Sequence, residues 1–132
     1  MSNAQDMDAI LAKLAALQAE SDIRRLMARY MELCDSLSGD TPMDELGGLF
    51  TRDAVWAGKG ARYSSTFGGY RGREEIVAML GKYRGAPPDF VEPHFAMNAH
   101  FLSSESITVN GQEARGQWMM LQTSTYADGR SD

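Results

Sequence analysis

Apolar positions early in the chain recur at three- and four-residue intervals. Ile10, Leu14 and Leu17 make one stripe; Ile23, Leu26, Met27, Tyr30, Met31 and Cys34 make a second. This period predicts helix from residue 6 to about residue 36. Ser21-Asp22 has the chemistry of a helix cap and suggests a break near Glu20. Thr41-Pro42-Met43-Asp44 reads as a helix start, with a capping Thr, Pro in the first position and an acid in the first turn. Ala54-Val55-Trp56 reads as a short strand, and the Gly- and Ser-rich stretch 58–72 as a loop and a strand. Ile76, Val77, Met79 and Leu80 mark the inward face of a helix over 73–83, which Gly85-Ala86-Pro87-Pro88 ends.

Beyond this point the period changes to two. In Pro93-His94-Phe95-Ala96-Met97-Asn98-Ala99-His100-Phe101, the residues His94, Ala96, Asn98 and His100 point one way and Phe95, Met97, Ala99 and Phe101 the other. That is a half-buried strand, running to about Val109 with a kink expected at Ser103-Ser104. Asn110-Gly111 signals a hairpin, and Gln112 to Tyr126 returns antiparallel, with Trp118, Met120 and Tyr126 on one face. Helices first and an antiparallel hairpin later give an α+β class, with helices on one face of a curved sheet. Asp128-Gly129 signals another turn, but too few residues follow for a strand. The sheet is therefore expected to lack its last strand and to be open at this edge.

Composition narrows the function classes. A chain of 132 residues with 43% hydrophobic residues is read as one domain, 1–132, with residues 1–5 as a tag or disordered start. A net charge of −5 without a basic run argues against nucleic acid. No apolar run reaches the roughly 20 residues of a membrane helix, and the acidic N-terminus does not read as a signal peptide. One cysteine, Cys34, forms no internal disulfide and suits a cytoplasmic protein. No metal site is expected, because His94 and His100 would lie roughly 20 Å apart on a strand, too far to share an ion.

Three residues could carry chemistry: Tyr30, Asp35 and His94. Neutral imidazole accepts a proton near pH 7. A carboxylate on its other nitrogen fixes the tautomer and stabilises the imidazolium. A buried phenol can donate to a carbonyl oxygen as charge develops there. On a regular helix Tyr30 and Asp35 stand about 140° apart, so both reach one cavity only if the helix ends near Cys34. Asp35 at a helix C-terminus opposes the macrodipole, which points to a partner elsewhere. His94 is the expected partner.

Ile23 to Tyr30 followed by Asp35, then Leu49 to Trp56, Gly69 to Ile76 and His94 to Asn98 resemble the SnoaL-like polyketide cyclases and their relatives, over roughly residues 20–126. The resemblance implies the cone-shaped α+β fold of nuclear transport factor two, a deep apolar pocket and a homodimer. Within that group the Tyr, Asp and His set looks most like scytalone dehydratase and the bile-acid dehydratases. That implies a lyase or isomerase working without a cofactor on a hydrophobic, carbonyl-bearing polycyclic or aromatic compound. His94 would be base and then acid, Asp35 its orienting carboxylate and Tyr30 the donor to the substrate oxygen. Asn98 would bind a polar group, with Trp56, Phe67, Met97 and Trp118 supplying apolar walls. The alternative is a non-catalytic module of the same fold, binding a small ligand or helping to assemble a partner enzyme.

Overall fold

The computed structural model describes residues 2–90 and 93–126. The class is α+β, as the change of period predicts. Helix α1 (Asn3–Asp35) is followed by α2 (Met43–Gly48), strand β1 (Val55–Ala57), α3 (Gly60–Phe67), β2 (Gly69–Arg71) and α4 (Arg73–Gly81). A 3-10 turn at Lys82–Arg84 leads to the long strands β3 (Phe95–Asn110) and β4 (Glu113–Tyr126). β1 and β2 pair antiparallel, with Trp56 opposite Tyr70. β3 pairs with β4 and, among the described residues, β4 has no other strand neighbour. The Asp128-Gly129 turn signal lies outside the described residues.

Several local readings are corrected. α1 runs on through Glu20. Ser21 and Asp22 do not cap; each accepts a bond within the helix, Ser21 from Arg25 and Asp22 from Gln18. These four-residue links support a continuous helix. The stretch 58–72, expected to hold no helix, contains α3. Gly58 makes this possible, since a side-chain carbon there would lie 2.1 Å from the Tyr63 carbonyl oxygen. Tyr63 and Phe67, one helical turn apart, stack at 5.7 Å. Thr41 does not cap α2: its hydroxyl accepts from the Ser38 N–H and donates to the Ser36 carbonyl, tying up the loop after α1.

The chain divides into two compact units, Met1–Arg29 with Phe101–Leu121, and Tyr30–His100 with Gln122–Asp132. In the first, the Arg24 guanidinium bonds Glu105 on β3 and Glu20 one turn back on α1. Arg24 is the main reason that the Glu105 carboxyl titrates below its ordinary value. The Trp118 indole lies over Gly116, where a side-chain carbon would come within 2.3 Å of the ring. β3 runs uninterrupted past Ser103-Ser104, where a kink is expected, and Ser104 there has a φ of 51°, in the left-handed region.

The second unit holds the core. Leu33 and Cys34 of α1, Leu46 of α2, and Ile76, Met79 and Leu80 of α4 are buried together, ringed by Tyr30, Phe50, Trp56, Tyr70 and Tyr83. Ile76, Met79 and Leu80 are the inward residues that the helical period marks on α4. Arg73 donates to the Phe50 carbonyl from both Nε, at 2.8 Å, and a terminal nitrogen, which joins the start of α4 to the loop before β1. This core fixes the last turn of α1 and so the place where Asp35 leaves the helix.

Candidate functional site

The last turn of α1 leaves carbonyl groups without helical donors, as every helix end does. Two side chains close it: Ser36 Oγ donates to the Glu32 carbonyl at 3.1 Å and Asn98 Nδ2 to the Cys34 carbonyl at 3.4 Å, while Thr41 Oγ1 donates to the Ser36 carbonyl just beyond the helix. Beyond the helix end, Arg84 holds the loop by donating to the carbonyls of Ser38 at 2.7 Å and Gly39 at 2.6 Å, with its guanidinium stacked on Phe90.

Asp35 projects from this anchored end. Its Oδ1 accepts two bonds from His100: the backbone N–H at 2.9 Å and ring Nδ1 at 2.6 Å. This resolves the unfavourable position of a carboxylate at a helix C-terminus, because two N–H groups of one strand residue supply the positive potential that the macrodipole does not. An ionised carboxylate only accepts, so in this contact Nδ1 is the donor, which in a neutral ring leaves the lone pair on Nε2. Nε2 has no hydrogen-bond partner among the described residues. The His100 side chain is 11% exposed and that of Asp35 31%. The pair is enclosed yet reachable.

The carboxylate's partner is thus corrected from His94 to His100. Both histidines fall on the same period-two face, so the pattern alone did not separate them. The signal that could have done so is position: His94 follows Pro93 and precedes β3, whereas His100 lies inside it. The exposed His94 packs its ring edge-to-face on Tyr83, Phe95 and Tyr126, at centroid distances of 5.0, 4.4 and 5.3 Å. Its backbone N–H donates to the Tyr83 carbonyl. With Lys82, Pro87 and Phe90 it lines an open cleft of about 580 Å³, of which Tyr30, Asp35 and His100 are not lining residues.

Tyr30 stands in the core wall, one turn before the helix end. Its hydroxyl accepts from Trp56 Nε1 at 3.2 Å, and its ring meets Phe50 edge-on. Burial, and then the neighbouring Cys34, push the phenol above its ordinary value, so it stays protonated. Trp56 also meets Phe67 and Tyr70. Phe67 and Met97 are about half exposed, while Trp118 belongs to the other unit. Asn98, expected to face a ligand, has its amide engaged inside the protein. Besides Cys34, it meets Gln122 Nε2 at 2.9 Å and Ser124 Oγ at 2.8 Å, both donating to its Oδ1.

Among the described residues, no group of three His, Cys, Asp or Glu side chains is placed to hold a metal ion, and no helix is long and apolar enough to cross a membrane.

Three solved structures from Novosphingobium aromaticivorans share the fold. A nuclear transport factor two-like protein with a cystatin-like fold is 26% identical, at a TM-score of 0.61 over 94% of this chain and 69% of its own. A candidate scytalone dehydratase is 21% identical, at 0.60 over 91% of this chain and 65% of its own. A candidate aromatic ring hydroxylase is 23% identical, at 0.62 over 83% and 66%. The chain spans about two thirds of the length of these structures. No curated protein matches it. The model of the SnoaL-like domain family matches residues 15–131, and the chain belongs to that family.

Proposed function

We propose that the chain is an acid–base catalyst of the dehydratase or isomerase type, acting without a cofactor on a hydrophobic, carbonyl-bearing polycyclic or aromatic small molecule. One observation carries the reading: the 2.6 Å contact between His100 Nδ1 and the Asp35 carboxylate, with Nε2 left without a hydrogen-bond partner among the described residues. His100 Nε2 takes a proton from the carbon next to the substrate carbonyl, and the C–H electron pair moves onto the carbonyl oxygen as an enolate. Asp35 stabilises the imidazolium that results. Tyr30, kept protonated by its burial, is the donor assigned to the enolate oxygen. When the enolate collapses, the proton on Nε2 leaves with a β-hydroxyl as water, or returns to another carbon of the substrate. The first outcome is dehydration and the second a double-bond shift.

The test is deuterium exchange at the α-carbon, followed by NMR in D₂O, with a panel of 3-keto steroids and 1-tetralones. The wild type is expected to accelerate exchange for at least one class. His100→Ala and Asp35→Asn are expected to slow it by roughly 10²- to 10⁴-fold, the range for lost general-base catalysis. A His100→Ala variant that exchanges as fast as wild type, or a His94→Ala variant that alone abolishes exchange, would overturn the assignment. The second reading, a ligand-binding or assembly module, draws support from the cleft beside His94, whose lining includes none of the three proposed residues. Binding of a panel member with no acceleration of exchange would select it.

A further inference from the structure

The proposed pair bridges two elements. Asp35 ends α1 and His100 lies within β3, so their contact depends on whatever holds the helix end to the strand. Asn98 does this. It lies two residues before His100, on the same strand face, and donates to the carbonyl of Cys34, the residue before Asp35. Thus two successive helix residues meet two same-face strand residues, Cys34 with Asn98 and Asp35 with His100.

The polarity of the cluster follows from its helix end. A backbone carbonyl can only accept, so the Asn98 amide must turn its Nδ2 toward Cys34 and its Oδ1 toward β4. There Oδ1 accepts from Gln122 Nε2 and Ser124 Oγ, while Gln122 Nε2 also donates to Ser124 Oγ at 3.2 Å. Both amide ends are engaged, and the side chain cannot turn over without facing oxygen to oxygen at Cys34. A residue bound in this way is a strut.

We propose that Asn98, locked by Gln122 and Ser124, is the positioning residue that sets the Asp35–His100 contact. The role rests on the acid–base reading of that pair, but it is read out without a substrate. Asp35 Oδ1 takes both His100 N–H groups, so a small retreat of the helix end loosens the two bonds together. Asn98→Ala removes the donor to Cys34 and the acceptor for β4. Asn98→Asp keeps the acceptor and shape but cannot donate to the carbonyl, so it is expected to behave like the alanine variant. Gln122→Ala and Ser124→Ala each leave one lock in place and are expected to have smaller effects.

The experiment is solvent hydrogen exchange by NMR on the uniformly ¹⁵N-labelled full chain, reading the His100 Nδ1–H and backbone N–H. In the wild type both are expected to be protected. In Asn98→Ala and Asn98→Asp both are expected to exchange at least about tenfold faster, while the N–H groups of α4 stay unchanged. A merely structural role would raise exchange in α4 and at His100 alike. Unchanged protection at His100 in Asn98→Ala, or a loss shared with α4, overturns the proposal. Should Asn98→Ala fail to fold, the Gln122→Ala, Ser124→Ala double variant is read by the same criteria. Failure of the deuterium-exchange assay with substrates leaves this result readable, and failure here leaves His100 and Asp35 as acid–base candidates.

Discussion

Cys34 is 7% exposed and sits one position before the proposed carboxylate. Burial pushes its thiol up to about 11 from an ordinary 9.0. Only the thiolate reacts, so alkylation by iodoacetamide at pH 8 is expected to be at least tenfold slower for the folded chain than in denaturant. The same shift makes stability depend on pH. The raised folded value favours the protonated form, so its contribution is full below pH 9. It is lost as pH rises from about 9 to about 11, because the unfolded thiol ionises first. Wild type is expected to lose on the order of 1–2 kcal/mol more than Cys34→Ser over that window, read by urea unfolding. Equal pH slopes in the two proteins would contradict the shift. At this scale the sequence spoke unevenly. Asp35 could be singled out because its place at a helix end is electrostatically wrong without a partner. Which histidine answers it depends on how β3 docks against the helix end, a tertiary register that a period of two leaves open. Asn98 was legible as a polar residue on the right face. Its role was not, because Gln122 and Ser124 come from a strand more than twenty residues later.

Elements with long periodic patterns were legible, and those decided by one close approach were not. α4 and the β3–β4 hairpin follow from periods of 3.6 and two; α3 depends on Gly58 passing under the Tyr63 carbonyl, which no local pattern encodes. A second close approach is testable. Gly47 of α2 faces α4, where an added side-chain carbon would lie 2.9 Å from Val77 Cγ2, whereas Gly48 has nothing within 4 Å. Alanine in place of helical glycine gains about 1 kcal/mol from propensity. At Gly47, overpacking at roughly 1–3 kcal/mol is expected to outweigh this, because the neighbour is a stiff β-branched residue. Gly47→Ala is therefore expected to lower stability and Gly48→Ala to hold or raise it. Adding Val77→Ala to Gly47→Ala should recover part of the loss as a coupling term. Additive effects in urea denaturation would show that the two sites do not touch.

For the molecule as a whole, the α+β class, with helices first and an antiparallel hairpin last, was readable from the change of period; the helix inside 58–72 and the assembly were not. β4 carries apolar side chains on both faces. Met119 and Leu121 on one are 67% and 63% exposed, and Met120 on the other is 51% exposed. A strand apolar on both faces is normally covered on both. Exposed apolar surface of this kind, next to a strand with one strand neighbour among the described residues, is also an association hazard. The expected cover is a second copy of the chain. Sedimentation velocity at tens of micromolar should then show a dimer or larger species. Met119→Asp with Leu121→Asp should shift it toward monomer while the far-UV circular dichroism is kept, since both side chains leave the β3–β4 ladder untouched. A wild type that sediments as a monomer across that range would leave the apolar face to a different partner and remove self-association as its explanation.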